Sequence, residues 1–154
     1  MIRNARYVHT NIISGDWERL ARFYETVFGC TRVLPERDMS GAWIEKGTGV
    51  RGAHVRGAHL RMPGYGEDGP TLEIFQYNIG TAGAAKPVNE TGIAHIAFLV
   101  EDVDAALAEV LSHGGSGLAD VVTREITGVG LLTFVYARDP DGNILELQSW
   151  KKEG

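Results

Sequence analysis

The feature that most constrains this chain is that its pattern is written twice. Tyr7-Val8-His9-Thr10-Asn11-Ile12-Ile13 reads as a strand, and seven residues after His9 comes Asp16, which begins Asp-Trp-Glu-Arg-Leu-Ala-Arg-Phe-Tyr-Glu-Thr-Val-Phe-Gly. Ile93-Ala94-His95-Ile96-Ala97-Phe98-Leu99-Val100 reads likewise, and seven residues after His95 comes Asp102, which begins Asp-Val-Asp-Ala-Ala-Leu-Ala-Glu-Val-Leu-Ser-His-Gly. The two openings superimpose without a gap. Such a repeat points to one supersecondary unit used twice.

Each segment after its aspartate has the marks of a three-turn helix. Asp16 and Asp102 are N-cap residue types with a further acid in the first turn, and Gly29 and Gly114 stand where a left-handed C-terminal residue belongs. Leu20, Phe23, Tyr24 and Val27 form one apolar stripe, and Val103, Leu107, Val110 and Leu111 a second.

Short strand candidates follow each helix: roughly Thr31–Leu34, Gly41–Glu45, Val55–Met62 and Pro70–Tyr77, then Gly117–Asp120, Val122–Ile126, Leu131–Ala137 and Ile144–Trp150. Asp139-Pro140-Asp141-Gly142-Asn143 is a strong turn signal before the last. Thr71-Leu72-Glu73-Ile74-Phe75-Gln76-Tyr77 aligns with Ile144-Leu145-Glu146-Leu147-Gln148-Ser149-Trp150, each with one glutamate inside an apolar strand. The expectation is an α+β fold of two tandem βαβββ modules, residues 1–80 and 93–154, joined by a Gly/Ala/Pro-rich linker at 81–92.

Composition removes several function classes. The net charge of −5 and the absence of a Lys/Arg run leave little to neutralise phosphates, which argues against nucleic acid as a partner. No apolar stretch is long enough for a membrane span, and the charged N-terminus has no signal-peptide core, so a cytoplasmic location is expected. The single cysteine, Cys30, excludes a Cys-rich zinc site, so any metal must be held by nitrogen and oxygen. Cys30 itself reads as a small buried residue.

Each module offers one histidine near the middle of its first strand, His9 or His95, and one glutamate near the middle of its last, Glu73 or Glu146. A strand histidine or half-buried glutamate taken singly is usually structural, but the matched recurrence of both types is not a common coincidence in a chain with only 5 His. A carboxylate flanked by aliphatic strand residues must be desolvated, which is costly unless it is protonated, paired or coordinated. A divalent cation would neutralise both glutamates, and two imidazoles complete an N2O2 set suited to Zn, Ni, Co, Mn or Fe(II) better than to Ca. Four protein ligands around such an ion leave positions open, as a catalytic site requires.

The paired βαβββ modules, the histidines in YVHTNI and GIAHIAF, the glutamate in TLEIFQY and the closing DPDGNILELQSW resemble the vicinal oxygen chelate superfamily, which includes glyoxalase I, methylmalonyl-CoA epimerase, extradiol dioxygenases, fosfomycin-resistance enzymes and bleomycin-binding proteins. The resemblance covers nearly the whole chain. It implies a metal-binding cup formed by two curled sheets, a homodimer, and a small substrate whose vicinal oxygens chelate the metal. The His/Glu/His/Glu order is most similar to glyoxalase I, which implies His9, Glu73, His95 and Glu146 as ligands and Glu146 as the base.

Two other readings come with the family. The glyoxalase pattern has an arginine four residues after the first histidine to hold the glutathione carboxylate, and Ile13 stands there. GIAHIAF is similar to the acyl-CoA epimerases, although those usually carry glutamine at the position of Glu73. Dioxygenases and fosfomycin enzymes need only a two-His-one-Glu set, which His9, His95 and Glu146 supply. Two acidic ligands suit proton shuttling better than oxygen activation, which places lyase or isomerase chemistry first. A metal-free binding protein of the bleomycin kind is the non-enzyme alternative.

Strand alternation puts Thr71, Phe75 and Tyr77 on the face of Glu73 and turns Leu72 and Ile74 to the helix. Phe75, Tyr77, Gln148 and Trp150, with Asn11, are therefore the expected substrate-side residues. The segment Val50–Arg61 repeats Arg-Gly-Ala-His with period five. It reads as a strand edge with solvated arginines, or else Arg56 or Arg61 with His59 binds a substrate carboxylate or phosphate. His113 reads as a C-terminal helix cap.

Overall fold

The computed structural model describes all residues except 2, 82, 153 and 154, so position 82 of the expected linker and the last two positions of the expected second module lie outside the described residues. The chain divides into two compact units, Met1–Ala82 and Gly83–Gly154.

The first unit runs β1 (His9–Ile13), α1 (Trp17–Phe28), β2 (Thr31–Ser40), α2 (Ala42–Thr48), β3 (His54–Arg61) and β4 (Thr71–Tyr77). Its sheet has the order β1-β4-β3-β2, with β1 parallel to β4 and the other pairs antiparallel. Asp16 caps α1 through its side chain, which accepts from the Arg19 N–H, and Gly29 closes the helix at φ 69°. The apolar stripe of α1 buries Leu20, Phe23 and Tyr24 beside Ala58, Leu60, Leu72 and Ile74, all of which are nearly or fully inaccessible. That burial commits one face of β3 and β4 to the helix and leaves the other face to His59 and Glu73.

Gly41–Glu45, expected as a strand, is instead the cap and first turn of the helix α2. Gly41 at φ 91° turns the chain out of β2, and Gly49 ends the helix at φ 73° with its N–H on the Glu45 carbonyl. A seven-residue helix has little intrinsic stability. It is held by Ile44, which packs with Ala53, Val55 and Phe75 and against Met39, Val50 and Tyr77 in a second small core. The strand content expected at Gly41–Glu45 is supplied by β2, which runs on to Ser40 and slips register between Val33 and Arg37, around a proline that has no N–H for the ladder. The Arg-Gly-Ala-His segment is also corrected: β3 is an interior strand between β2 and β4, not an edge.

The second unit runs β5 (Ile96–Leu99), α3 (Val103–Ser112), β6 (Ser116–Gly117), β7 (Val122–Ile126), β8 (Gly130–Arg138) and β9 (Ile144–Lys151). Its order is β5-β9-β8-β6, with β7 also on β8 and β5 parallel to β9. Because β6 and β7 pair with opposite ends of β8, they occupy one edge position, the counterpart of β2. The expected strand Gly117–Asp120 is cut to its first residue. Leu118 and Ala119 both donate to the Tyr136 carbonyl, so two residues oppose one and the ladder is broken by a bulge.

Asp102 caps α3 through the Ala105 N–H, and Val103 and Val110 are buried, but Leu111 lies nearly half exposed, off the packed stripe. His113 Nδ1 lies 2.9 Å from the Glu109 carbonyl, so its ring caps the helix end as expected. The Asp139–Asn143 turn is organised by the buried Asp139 carboxylate, which accepts from the N–H groups of Asp141 and Asn143 and from the Asn143 side-chain amide.

Candidate metal centre

In the first unit the register of β1 on β4 puts His9 opposite Thr71 and Asn11 opposite Glu73. The antiparallel register of β3 on β4 puts His59 opposite Glu73 from the other side. Glu73 is therefore flanked on both neighbouring strands by polar side chains on the face away from α1. His59 Nε2 lies 2.9 Å from Glu73 Oε1, the Asn11 amide donates to Oε2 at 2.8 Å, and His9 Nε2 is 3.5 Å from Oε2. The Glu73 side chain keeps only 13% of its accessibility, against 40% for His9, so the carboxylate is the sheltered member.

Partners on several sides hold the His59 ring. Its Nδ1 is 3.0 Å from Thr71 Oγ1, and it meets the His9 and Phe75 rings edge-on at centroid distances of 5.7 and 6.0 Å. Burial holds the imidazole below its ordinary pKa, Arg37 and His9 act in the same direction, and the Glu73 carboxylate opposes them. Where β3 meets the small core under α2, Gly57 stands opposite Phe75, and a Cβ there would overlap the Ile74 carbonyl oxygen. Glycine is what lets the two strands close at that point.

The second unit repeats the arrangement with different side chains. His95 precedes β5 by one residue, and its Nε2 lies 2.9 Å from Glu146 Oε2. Ala97 takes the place of Asn11 opposite the glutamate, and Tyr136 takes the place of His59 on the antiparallel neighbour. The Tyr136 and His95 rings are 5.3 Å apart. Burial raises the Tyr136 phenol above its ordinary pKa, and the nearby Glu146 charge adds to the effect.

The other expected site residues divide by strand parity. Phe75 and Tyr77 lie on the Glu73 side, where both also belong to the core under α2. Gln148 and Trp150 follow Glu146 on its face of β9, and the Trp150 indole donates to Gln148 Oε1 at 2.9 Å. Arg56 pairs with Gln76 on the face that carries Ala58 and Leu60, away from Glu73, and its side chain is exposed. Arg61 shares the parity of His59 and lies opposite Thr71, with its Nε buried and lacking a hydrogen-bond partner. Tyr136 was not anticipated from sequence. The Asp139–Asn143 turn, whose centre sets Tyr136 against Glu146, was the available signal.

One ring nitrogen each of His9 and His59 and a Glu73 oxygen lie within 4.8 Å of one another, and no other group of three such side chains is found among the described residues. Imidazole nitrogens with one carboxylate suit a borderline divalent ion such as Zn, Mn, Co, Ni or Fe(II), whereas Ca favours an all-oxygen shell. The His95–Glu146 pair offers one donor of each kind. The donor chemistry therefore fits a divalent metal.

Comparison with known proteins shows the family and the fold. The Glyoxalase/Bleomycin resistance protein/Dioxygenase superfamily pattern matches residues 6–147. A probable lactoylglutathione lyase of Vibrio cholerae is 28% identical over 148 residues, covering 94% of this chain and 90% of that protein. The counterpart from Vibrio parahaemolyticus is 27% identical over 154 residues, with the same coverage. A glyoxalase family protein from Bacillus cereus superimposes with a TM-score of 0.81 at 22% identity, over 97% of this chain and 98% of that one. The fosfomycin resistance protein FosX from Listeria monocytogenes, solved with Mn(II) and sulfate, superimposes at 0.53 with 16% identity, over 98% of this chain and 95% of that one. With its two βαβββ sheets and a superfamily match over most of its length, this chain belongs to the glyoxalase/bleomycin resistance protein/dioxygenase superfamily and has the glyoxalase α+β fold.

Proposed function

We propose that this chain is a metal-dependent lyase or isomerase of the glyoxalase I type, which moves an α-proton on a small substrate with vicinal oxygens. His9, Glu73, His95 and Glu146 are the proposed ligands. The observation that carries the reading is the matched His–Glu pair: each unit holds an imidazole nitrogen at 2.9–3.5 Å from a sheltered carboxylate at the same place in its sheet. The probable lactoylglutathione lyases at 28% and 27% identity support the reaction class.

A divalent cation at these donors supplies Lewis-acid stabilisation of the negative charge that develops on the substrate oxygens. The chain's own contribution is to hold one carboxylate still and leave the other free to take the proton. Glu73 is tied through both oxygens, to Asn11 and His59, and serves as an anchor. Glu146 faces the methyl group of Ala97 where Glu73 has an amide, so fewer bonds resist its rotation toward a substrate α-carbon. Glu146 is accordingly the base that accepts the proton and returns it to the adjacent carbon. On this reading Gln148 and Trp150, locked together on the same strand face, orient the substrate beside it.

The thiol carrier is the point at which this chain departs from the glutathione pattern. Ile13 lies opposite Phe75 on β1 and is about half exposed, with no charge to offer a glutathione carboxylate. The test is metal analysis of the purified protein, followed by assay of the metal-loaded form with hemithioacetals of methylglyoxal and several thiols, and separately for α-proton exchange on an acyl-CoA. Turnover of a hemithioacetal supports the lyase. Exchange on the acyl-CoA alone would identify an epimerase, and a native protein that takes up no metal would overturn the reading.

A further inference from the structure

The two units are alike in their His–Glu pair and unlike in the residue that stands across the antiparallel neighbour from the glutamate. In the second unit that residue is Tyr136. In the first it is His59, whose Nε2 lies 2.9 Å from Glu73 Oε1 and which offers a ring nitrogen within a 4.8 Å span of one from His9 and a Glu73 oxygen. The sequence suggests contact with substrate for His59, but its surroundings suggest coordination. A metal-bound imidazole usually commits its second nitrogen to a hydrogen bond that fixes the tautomer and the ring plane. His59 has that bond in place, since Nδ1 lies 3.0 Å from Thr71 Oγ1 on the neighbouring strand. Edge-on contacts with Phe75 and His9 hold the same ring plane.

We propose that His59 is a further ligand of the divalent metal beside His9 and Glu73, so that the first unit supplies a two-histidine, one-carboxylate set. The inference rests on His9 and Glu73 being ligands, as proposed above. The third donor strengthens the hold of the first unit on the ion, and the second unit has Tyr136 in the equivalent place.

Proton positions follow from the geometry. Without metal, the 2.9 Å contact with Glu73 Oε1 requires the neutral ring to carry its proton on Nε2, with Nδ1 accepting from the Thr71 hydroxyl. With Nε2 on the metal, the ring proton sits on Nδ1 and donates to Thr71 Oγ1. The ring keeps one proton throughout, so the event is a change of tautomer and not a titration.

The experiment uses the full-length protein, uniformly 15N-labelled, titrated with Zn(II) and followed by long-range 1H–15N correlation of the imidazole nitrogens. His59 is assigned from the spectrum of His59→Gln. The expected result is one equivalent of Zn(II) per chain, with His59 passing from the Nε2-protonated to the Nδ1-protonated form and its Nε2 moving into the metal-bound range. Competition with a chromophoric chelator should show Zn(II) binding weakened at least about 10-fold in His59→Gln. Thr71→Val should show a smaller loss, and His95→Ala should still bind the ion. Unchanged His59 nitrogens at saturating Zn(II), or wild-type affinity in a folded His59→Gln, would overturn the proposal while His9 still reports binding. If His59→Gln does not fold, the wild-type spectra decide, with His59 assigned through its Thr71 and Phe75 neighbours. A wild-type chain whose histidines all ignore Zn(II) would overturn the metal reading itself, a different outcome from the loss of His59 alone.

Discussion

The side-chain amide of Asn11 donates to Glu73 Oε2 at 2.8 Å across a parallel strand pair in which the two residues stand directly opposite. Together with His59 on the other side, it fixes the carboxylate before any ligand arrives. Nothing comparable can come from Ala97, its counterpart opposite Glu146. The first glutamate is held from both neighbouring strands, and the second lacks the counterpart of Asn11.

Asn11→Leu should therefore lower the affinity for divalent metal by about 10-fold, the scale of losing a partner that orients a ligand, without unfolding the chain. Isothermal titration of Zn(II) or Co(II), with circular dichroism as the fold control, checks this. Equal affinity would mean that Glu73 needs no support from β1.

The two conservative glutamate changes should separate binding from proton transfer. Glu73→Gln should release the metal. Glu146→Gln should keep most of it and lose roughly 10²–10⁴-fold in turnover, the usual contribution of a positioned base. Metal content and kcat measured on the same preparations decide the matter, and the reverse pattern would exchange the two roles.

Cys30 is buried at 3% exposure, and desolvation with the Glu25 charge pushes its thiol from 9.0 up to about 11. The unfolded thiol ionises first as pH rises, so between about pH 9 and 11 the unfolded state binds fewer protons and stability falls; below pH 9 this contribution is constant. Chemical denaturation across that range should show a decline on the order of 2 kcal/mol in the wild type that is absent from Cys30→Ala. At neutral pH the native thiol should react with alkylating agents only as fast as the protein opens.

Gly57→Ala should cost about 2–4 kcal/mol, because its Cβ would overlap the Ile74 carbonyl, which cannot move without breaking the pairing of β3 with β4. Urea titration measures the loss. The damage should extend to metal affinity, since the same strand pair aligns His59 with Glu73.

Asp139→Ala should destabilise the second unit by about 2–3 kcal/mol, because it removes the acceptor for the Asp141 and Asn143 N–H groups in a buried turn. That turn sets Tyr136 against Glu146. The prediction is checked by thermal unfolding, with loss of the raised Tyr136 ionisation, followed by ultraviolet titration, as the local signature.

Much of this could be read along the chain. The helices begin at Asp16 and Asp102 and end at Gly29 and beside Gly114 because capping is local chemistry. The alternation that turns Leu72 and Ile74 to the helix and Glu73 away from it is a property of any strand with one buried face. Where reading failed, the deciding contact was distant in sequence. Ala42–Thr48 became a helix because Ile44 found Val55 and Phe75, and Leu118–Ala119 left the ladder because both turned to one carbonyl of Tyr136.

The sequence by itself determined the duplication, the helix caps and one His–Glu pair per half, because each is a pattern of residue types over a few turns or one strand. Only the tertiary structure decided which side chains flank each glutamate. Strand order and register depend on loops and bulges that the repeat does not share: β3 and β4 are joined through residues 62–70, β8 and β9 through 139–143. With the order β1-β4-β3-β2, Asn11 and His59 are brought to Glu73 from opposite sides, and by the matching order Ala97 and Tyr136 are brought to Glu146. The difference between an anchored carboxylate and a freer one arises there, from two halves that share a backbone plan and differ in what each strand delivers across it.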